Sequence, residues 1–476
     1  MELLIPLNLQ DSKPLYEQIY QYIKDEIRRG NMKPDRQLPS SRELAKSLKV
    51  SRSTTQLAYE QLVSEGYLEA VPRKGYFTAR LDGLLPSLHA PGYEEGGTEA
   101  DVPDLLSNRT EEGEHVQVDF SPGGIDLERF PFSTWRKISR AVLREEEKEV
   151  FLKGDPQGDL PLREAIRDYL HAARGVNCHA FQIVVGAGNE YLLMLLSQLL
   201  GNTTGIAMEN PTYMQAYRVL SGMGHPVVPV DMDGSGIRTD ILESLPADVA
   251  YVMPSHQFPM GIVMPVRRRQ ELLSWAAKKE GRYIIEDDYD SEFRYKGKPI
   301  PALQGMDRCG RVIYMGTFSK SIAPAIRIGY LVLPLPLLSL YEKQARFYSS
   351  TVSRVDQRIL SQFIMGGYFE RHLNRMRETY KGKLEALLTS LKPLEPYFAI
   401  KGEHAGLHVL MTHQGERTEE ELERLAATAG IRVYGLSGFY IHKEPIRDPR
   451  TVILGYARLS EAEIYYGAQR LSEIWR

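Results

Sequence analysis

The sequence predicts a two-part chain of the α/β class: a small helical head closed by a β-hairpin, then a large domain whose mostly parallel sheet is covered by helices. Three observations lead there. At 476 residues the chain is too long for one ordinary core. Its whole-chain charge of −3 is segregated, with 13 Lys/Arg against 8 Asp/Glu from Lys13 to Arg80 and one Arg against 10 Asp/Glu from Leu81 to Asp119. From Val118 onward, short apolar runs alternate with helical stretches.

In the head, Leu15, Ile19, Tyr22, Ile23 and Ile27 keep a helical spacing that Gly30 ends. Within Leu38-Pro39-Ser40-Ser41-Arg42-Glu43-Leu44-Ala45, Ser40 and Glu43 make an S-x-x-E capping box that starts a second helix. Lys49-Val50 forms a turn and Ser51 caps a third helix, whose buried side is read as Leu57, Leu62 and Val63, with Tyr59 as packing. Tyr67–Val71 and Tyr76–Ala79 are expected strands around the turn Pro72-Arg73-Lys74-Gly75. The order is helix, turn, helix, wing, with Arg52, Ser53, Thr54, Thr55 and Gln56 opening the third helix. Short polar side chains there suit phosphates and base edges in a major groove. A helical protein-interaction module is the alternative.

The head resembles the GntR family of bacterial regulators, an N-terminal winged helix-turn-helix, through Leu38–Ala45 and Gly75-Tyr76-Phe77. The resemblance implies contacts to double-stranded DNA by Arg42, Ser51, Arg52, Thr54 and Thr55, with Lys74 and Gly75 at the wing. The acidic stretch that follows, rich in Pro, Gly, Ser and Glu, reads as a flexible linker. Expected boundaries are 1–80 for the head, 81–116 for the linker and 117–476 for the large domain.

Strands of the large domain are expected at Ile183-Val184-Val185, Gly205–Met208, Val249–Val252, Tyr283-Ile284-Ile285 and Val312-Ile313-Tyr314. Ligands gather at the carboxyl ends of such strands. The residues there match what pyridoxal 5'-phosphate demands: an amine for its aldehyde, an anion for its pyridine nitrogen, a donor for O3' and N–H groups with a cation for its phosphate. Lys320 in Gly316-Thr317-Phe318-Ser319-Lys320-Ser321 supplies the amine of an internal aldimine. Asp287 pairs with the pyridinium and Tyr289 reaches O3'. Gly186-Ala187-Gly188 precedes a helix expected at Asn189–Leu199, so the N–H groups of Ala187 and Gly188 favour phosphate, and Thr317, Ser319 and Arg327 add hydroxyls and charge. Tyr213, after Asn210-Pro211-Thr212, is placed to stack on the ring.

Together these residues resemble the fold-type I, pyridoxal phosphate-dependent aminotransferases. Gly455-Tyr456-Ala457-Arg458-Leu459 matches the segment whose arginine binds a substrate α-carboxylate, which implies Arg458. Both resemblances in this order describe the MocR/GabR subfamily of GntR regulators, as do Pro254–Pro259, Glu286–Phe293 and Tyr314–Ser321. The subfamily implies a homodimeric, head-to-tail transcription factor that senses a small amino compound or the cofactor itself. An active aminotransferase with a DNA-binding appendage is the second reading. Where aminotransferases carry Asn-Pro-x-Gly this chain has Phe258-Pro259-Met260-Gly261, so the asparagine that contacts O3' is absent: either His256 or Gln257 substitutes for it, or the ring electronics are less suited to turnover. Met214 and Gln215 stand where GABA-responsive members imply basic residues, so GABA is not the expected effector.

Composition bounds the rest. A content of 42% hydrophobic and 25% charged residues is that of a soluble globular protein. Met1–Lys13 lacks the regions of a signal peptide and no run of about 18 apolar residues occurs, so no membrane partner and a cytoplasmic setting are expected. Cys178 and Cys309 show no metal-ligand spacing, and no metal is expected.

Overall fold

The computed structural model describes residues 5–8, 11, 13–80, 116–441 and 450–476. The chain divides into two compact units, Met1–Glu111 and Glu112–Arg476. The expected linker lies outside the described residues except for Val116.

In the first unit, helix α1 (Leu15–Arg28) buries Ile19, Ile23 and Ile27. Helix α2 (Ser41–Leu48) begins with the expected capping box: Glu43 N donates to Ser40 Oγ (3.3 Å) and Ser40 N to Glu43 Oε2 (2.9 Å). Helix α3 (Arg52–Ser64) is capped by Ser51, whose Oγ accepts from Thr54 N at 3.1 Å. Strands β1 (Leu68–Val71) and β2 (Gly75–Thr78) pair antiparallel from Leu68↔Thr78 to Val71↔Gly75. At the tip Arg73 and Gly75 have positive φ, the left-handed backbone that a tight return needs.

One expectation about α3 fails. Leu57 is 47% exposed, and the buried face is Thr55, Ala58, Tyr59 and Leu62. A helix turns 100° per residue, so Leu57 points away from the stripe through Ala58 and Leu62. Tyr59 packs as expected, its hydroxyl donating to Pro39 O at 3.0 Å and its ring 4.7 Å from that of Tyr76.

The second unit opens with β3 (Val118–Asp119) and is built on an eight-stranded sheet. In chain order its strands are β4 (Ile183–Gly186), β5 (Ile206–Asn210), β6 (Val227–Asp233), β7 (Gly236–Ile237), β8 (Val249–Val252), β9 (Tyr283–Asp288), β10 (Val312–Thr317) and β11 (Gly329–Val332). They lie in the order β4-β11-β10-β9-β8-β5-β6-β7. The pairs β10-β9, β9-β8, β8-β5 and β5-β6 are parallel, while β11 runs antiparallel to β10 and β4, and edge strand β7 runs antiparallel to β6. Alternation along each strand sends Val184, Met208, Tyr251, Ile285 and Met315 to one core, against the helix Asn189–Leu200. Their neighbours pack on the other face, in one cluster with the helix Leu160–Arg174 and another with Val266–Ala277.

The rest of the unit has its own core. Strands β12 (Phe398–Lys401), β13 (His408–His413), β15 (Tyr434–Gly435) and β16 (Thr451–Gly455) form a sheet in the order β12-β13-β16-β15, and β14 (Ile431–Arg432) pairs parallel with β3. The helices Tyr368–Leu391 and Glu461–Ile474 close over it, with Tyr380, Leu387, Leu471 and Trp475 buried.

Candidate functional site

The loop from Phe318 to Ile328 joins two antiparallel neighbours, so it leaves the carboxyl end of β10 and returns to the amino end of β11 at the same end of the sheet. Thr317, Ser319, Lys320 and Arg327 therefore stand at one end of the sheet, beside the turn that follows β4. Asp287 and Tyr289 come from the end of β9, one strand over.

Lys320 Nζ lies 5.0 Å from the ring centroid of Tyr289 and donates to Gly123 O at 2.6 Å. Its walls push the ammonium down to about 8, burial outweighing the attraction of Asp290. A share of the side chain is therefore an uncharged amine near neutral pH, the form that attacks a carbonyl. The rings of Tyr213 and Tyr289 are 5.7 Å apart, and Phe258 packs 5.0 Å from Tyr289 and 6.2 Å from Tyr213. The phenol of Tyr213 is pushed up to about 12, by burial first and then by Asp287, and burial raises that of Tyr289 as well.

Asp287 is 2% exposed. Its Oδ2 accepts from the hydroxyl of Tyr251, whereas its Oδ1 is buried with no hydrogen-bond partner among the described residues. Burial raises the carboxyl to about 7, opposed by the Tyr251 hydrogen bond. A cationic N–H donor at that oxygen would satisfy it and ionise the acid, and a protonated pyridine nitrogen is such a donor.

On the phosphate side, Gly188 caps the helix Asn189–Leu200 at φ 89° and ψ 173°, a conformation nearly confined to glycine. A Cβ there would run into the guanidinium of Arg327, which pairs with Glu190. Ala187 N donates to Thr351 Oγ1 at 3.1 Å, and Thr317 Oγ1 accepts from Ser319 N at 3.1 Å. Backbone N–H groups, a helix N-terminus and two hydroxyls meet here with the exposed Arg327 guanidinium lying over Gly188, an arrangement of donors and positive charge that fits a phosphate.

Arg458 follows β16, half exposed, with Nη1 3.3 Å from Asp119 Oδ2. Its side chain lies against Gly124, next to the carbonyl that receives Lys320.

Both stand-ins for the asparagine have polar atoms engaged within the protein. His256 is buried with Nδ1 2.8 Å from Asp290 Oδ1; burial alone would lower the imidazole, but the charge and hydrogen bond of Asp290 hold it above its ordinary value. Gln257 donates to Pro211 O (2.9 Å) and accepts from Met260 N (3.0 Å), so both polar ends are committed to the loop backbone. The ring of Phe258 takes the place by Tyr289 instead.

In the head, Arg42, Ser51, Arg52 and Lys74 are exposed and Thr54 is half-buried. A groove of about 1000 Å³ between α2 and the wing carries Arg36, Lys46 and Lys74. Thr55 does not belong with the DNA contacts: it is fully buried and its hydroxyl donates to Ser41 O (2.8 Å) and Arg52 O (3.0 Å), tying α3 to α2.

Residue reading missed Tyr251, Asp119, Gly123 and Thr351. Tyr251 hides in an apolar strand run like any core residue, and Asp119 looks like one more acid at the end of an acidic stretch. Gly123-Gly124 is a pair of residues common in turns, and residue type says nothing of what a turn touches.

Two families match. Residues 117–471 match aminotransferase class I and II, and residues 15–78 match the bacterial regulatory proteins of the gntR family. The chain is 38% identical to an uncharacterized HTH-type transcriptional regulator, YdeL, of Bacillus subtilis, over 97% of each chain. It is 32% identical to the probable rhizopine catabolism regulatory protein MocR of Rhizobium meliloti, over 96% of this chain and 93% of that one. A pyridoxine biosynthesis transcriptional regulator, PdxR, of Corynebacterium glutamicum is 31% identical over 92% of each. Among solved structures, a multiple substrate aminotransferase from Thermococcus profundus superposes with a TM-score of 0.67 at 26% identity, covering 83% of this chain and 98% of that one. No helix among the described residues is long and apolar enough to cross a membrane.

Proposed function

The chain belongs to the MocR/GabR group of gntR-family regulators, an aminotransferase class I and II domain joined to a gntR head, and from that premise we propose that it is a pyridoxal phosphate-dependent transcriptional regulator responding to a small amino compound. The observation that supports the cofactor reading is Oδ1 of Asp287, buried with no hydrogen-bond partner among the described residues, an acceptor that a protonated ring nitrogen would suit. Bound pyridoxal phosphate supplies a carbonyl that condenses with amines and a ring that withdraws electrons.

The chain's own groups then have distinct work. Lys320 presents the amine, which is oriented by donating to Gly123 O. Asp287 holds a proton on the ring nitrogen, and Tyr251 fixes the carboxylate that does so. Tyr213 and Phe258 wall the ring, and Tyr289 stands beneath the amine as the donor for O3'. Ala187, Gly188, Thr317, Ser319 and Arg327 would hold the phosphate, with Arg327, paired with Glu190, supplying positive charge. Arg458 receives the carboxylate of the effector through a bidentate guanidinium. Pyridoxal phosphate itself is the alternative effector, in keeping with the name of the pyridoxine biosynthesis regulator.

The head binds promoter DNA in the cytoplasm, with Arg42, Ser51, Arg52, Thr54, Lys74 and Gly75 toward the duplex. Two copies act together as a head-to-tail homodimer. Exposed apolar side chains on the second unit, among them Phe132, Phe151, Leu152, Phe347 and Met365, support a partner surface there.

Any transamination is weak or absent, because an apolar Phe258 ring stands where aminotransferases place an amide. Titrating amino acids and amines into the cofactor-loaded chain, with the spectrum, keto-acid product and affinity for the chain's own upstream DNA read in parallel, tests this. A spectral change and altered DNA affinity without steady product are expected. Steady product with no specific DNA binding would favour the aminotransferase reading.

A further inference from the structure

We propose that Asp119 is a specificity-determining residue: an internal carboxylate that occupies Arg458 and that the carboxylate of a ligand must displace. The inference rests on the reading of Arg458 as the effector's carboxylate partner. Arg458 Nη1 donates to Asp119 Oδ2 at 3.3 Å, and the Tyr434 hydroxyl donates to Asp119 Oδ1 at 2.9 Å, so both oxygens of the acid are spoken for. Tyr434 in turn has its phenol raised, by burial first and then by its bond to Asp119. The backbone of the acid is fixed as well: Arg432 pairs with Asp119 in the β3–β14 ladder, and Phe120 N donates to Arg432 O at 3.0 Å.

The same short segment reaches the amine. A Cβ on Gly124 would lie 2.8 Å from Arg458 Cβ, so the arginine side chain rests directly on that glycine, and the preceding carbonyl, Gly123 O, accepts from Lys320 Nζ at 2.6 Å. Residues 119–124 thus touch the two groups that an α-amino acid would engage, the lysine amine through Gly123 and the guanidinium through Asp119. A bare amine reaches Lys320 and leaves the Asp119–Arg458 pair closed. A small α-amino carboxylate exchanges its own anion for that of Asp119, and the favoured ligand class is one that carries both groups on one backbone.

Displacement is a threshold rather than a block. The pair is partly solvated, with side-chain exposures of 53% for Arg458 and 22% for Asp119, and such ion pairs shift an equilibrium by a few fold. Asp119→Asn keeps an acceptor for Tyr434 and the side-chain size while removing the competing charge.

The test titrates alanine and ethylamine into the full-length, cofactor-loaded chain and follows the visible spectrum of the cofactor at Lys320. In Asp119→Asn the alanine response is expected at roughly fivefold lower concentration, with ethylamine unchanged. A weaker alanine response, which would mean that Asp119 orients Arg458, overturns the proposal, as do equal shifts for both amines and no shift for either. If the parent chain takes up no cofactor, the proposed function fails on its own and a second measurement decides: phenylglyoxal labelling of Arg458 in the cofactor-free chain, located by mass spectrometry, with propionate as protectant. Half-protection at about fivefold less propionate in Asp119→Asn is expected; equal protection in both overturns the competition.

Discussion

Tyr251 grips one oxygen of Asp287 and leaves the other bare, so the acid is oriented but not satisfied. The consequence is a carboxyl that burial raises to about 7. Asp287→Asn removes the charge and keeps the size. It should weaken pyridoxal phosphate by on the order of 2 kcal/mol, roughly thirtyfold in Kd, and alter the visible spectrum. Fluorescence titration of the cofactor-free chain measures it, and an unchanged Kd and spectrum would remove Asp287 from this role.

Lys320→Ala should abolish the borohydride-reducible link to the cofactor, because Lys320 is the amine that stands over Tyr289 and reaches Gly123 O. Mass spectrometry after reduction reads the adduct directly. An adduct of unchanged yield in the variant would move the amine to another lysine.

Gly188→Ala should cost about 1–3 kcal/mol through backbone strain and push the arginine aside, weakening the cofactor with little change at the lysine. Phosphate alone is the discriminating ligand. If free phosphate competes with pyridoxal phosphate equally well in parent and variant, the anion site lies elsewhere.

The pH dependence of the cofactor-free chain follows from Asp287, Glu286 and Glu209, each raised to about 7 with burial as the largest cause. Their folded values lie above the unfolded ones near 4, so the folded state binds more protons between about pH 4 and 7. This contribution is present at acid pH, falls as pH rises through about 7 and is level above it. Histidines held low, such as His408 at about 4, act in the opposite direction below about 6.5. The clean measurement is therefore the difference in thermal midpoint between parent and Asp287→Asn from pH 6.5 to 8, where the parent should show the steeper decline. Parallel curves would mean that the acid titrates normally.

In the head, Thr55→Val and Arg52→Ala should separate fold from contact. Losing the buried hydroxyl of Thr55 should cost about 1 kcal/mol of stability. Exposed Arg52 should cost less than about 0.5 kcal/mol of stability but weaken DNA binding and flatten its salt dependence. Chemical denaturation and gel shifts across a salt series check both.

Much of this organisation is legible in the residues because local signals are strong. Capping at Ser40 and Ser51, the Gly-Ala-Gly turn and the five apolar runs each depend on near neighbours, and the elements form where expected. Lys320, Tyr289 and Tyr213 are recognisable by residue type and order. What stayed hidden depends on tertiary contact. Leu57 is exposed and Thr55 buried because the phase of α3 is set by its packing on α1 and α2, not by side-chain polarity. Asp119 meets Arg458 across 339 positions, and no spacing rule reaches that far.

The reversed strand β11 turns the Phe318–Ile328 loop into a gauge of fixed span. The amine at Lys320 and the guanidinium at Arg327 are set apart by the length of one return, anchored at both ends in the same pair of strands. Inserting a single residue between them would leave both side chains in place chemically and put them out of pitch, so that a ligand seated at one end could no longer be seated at the other. Tolerance to loop lengthening, ordinarily generous at a protein surface, should vanish between these two positions.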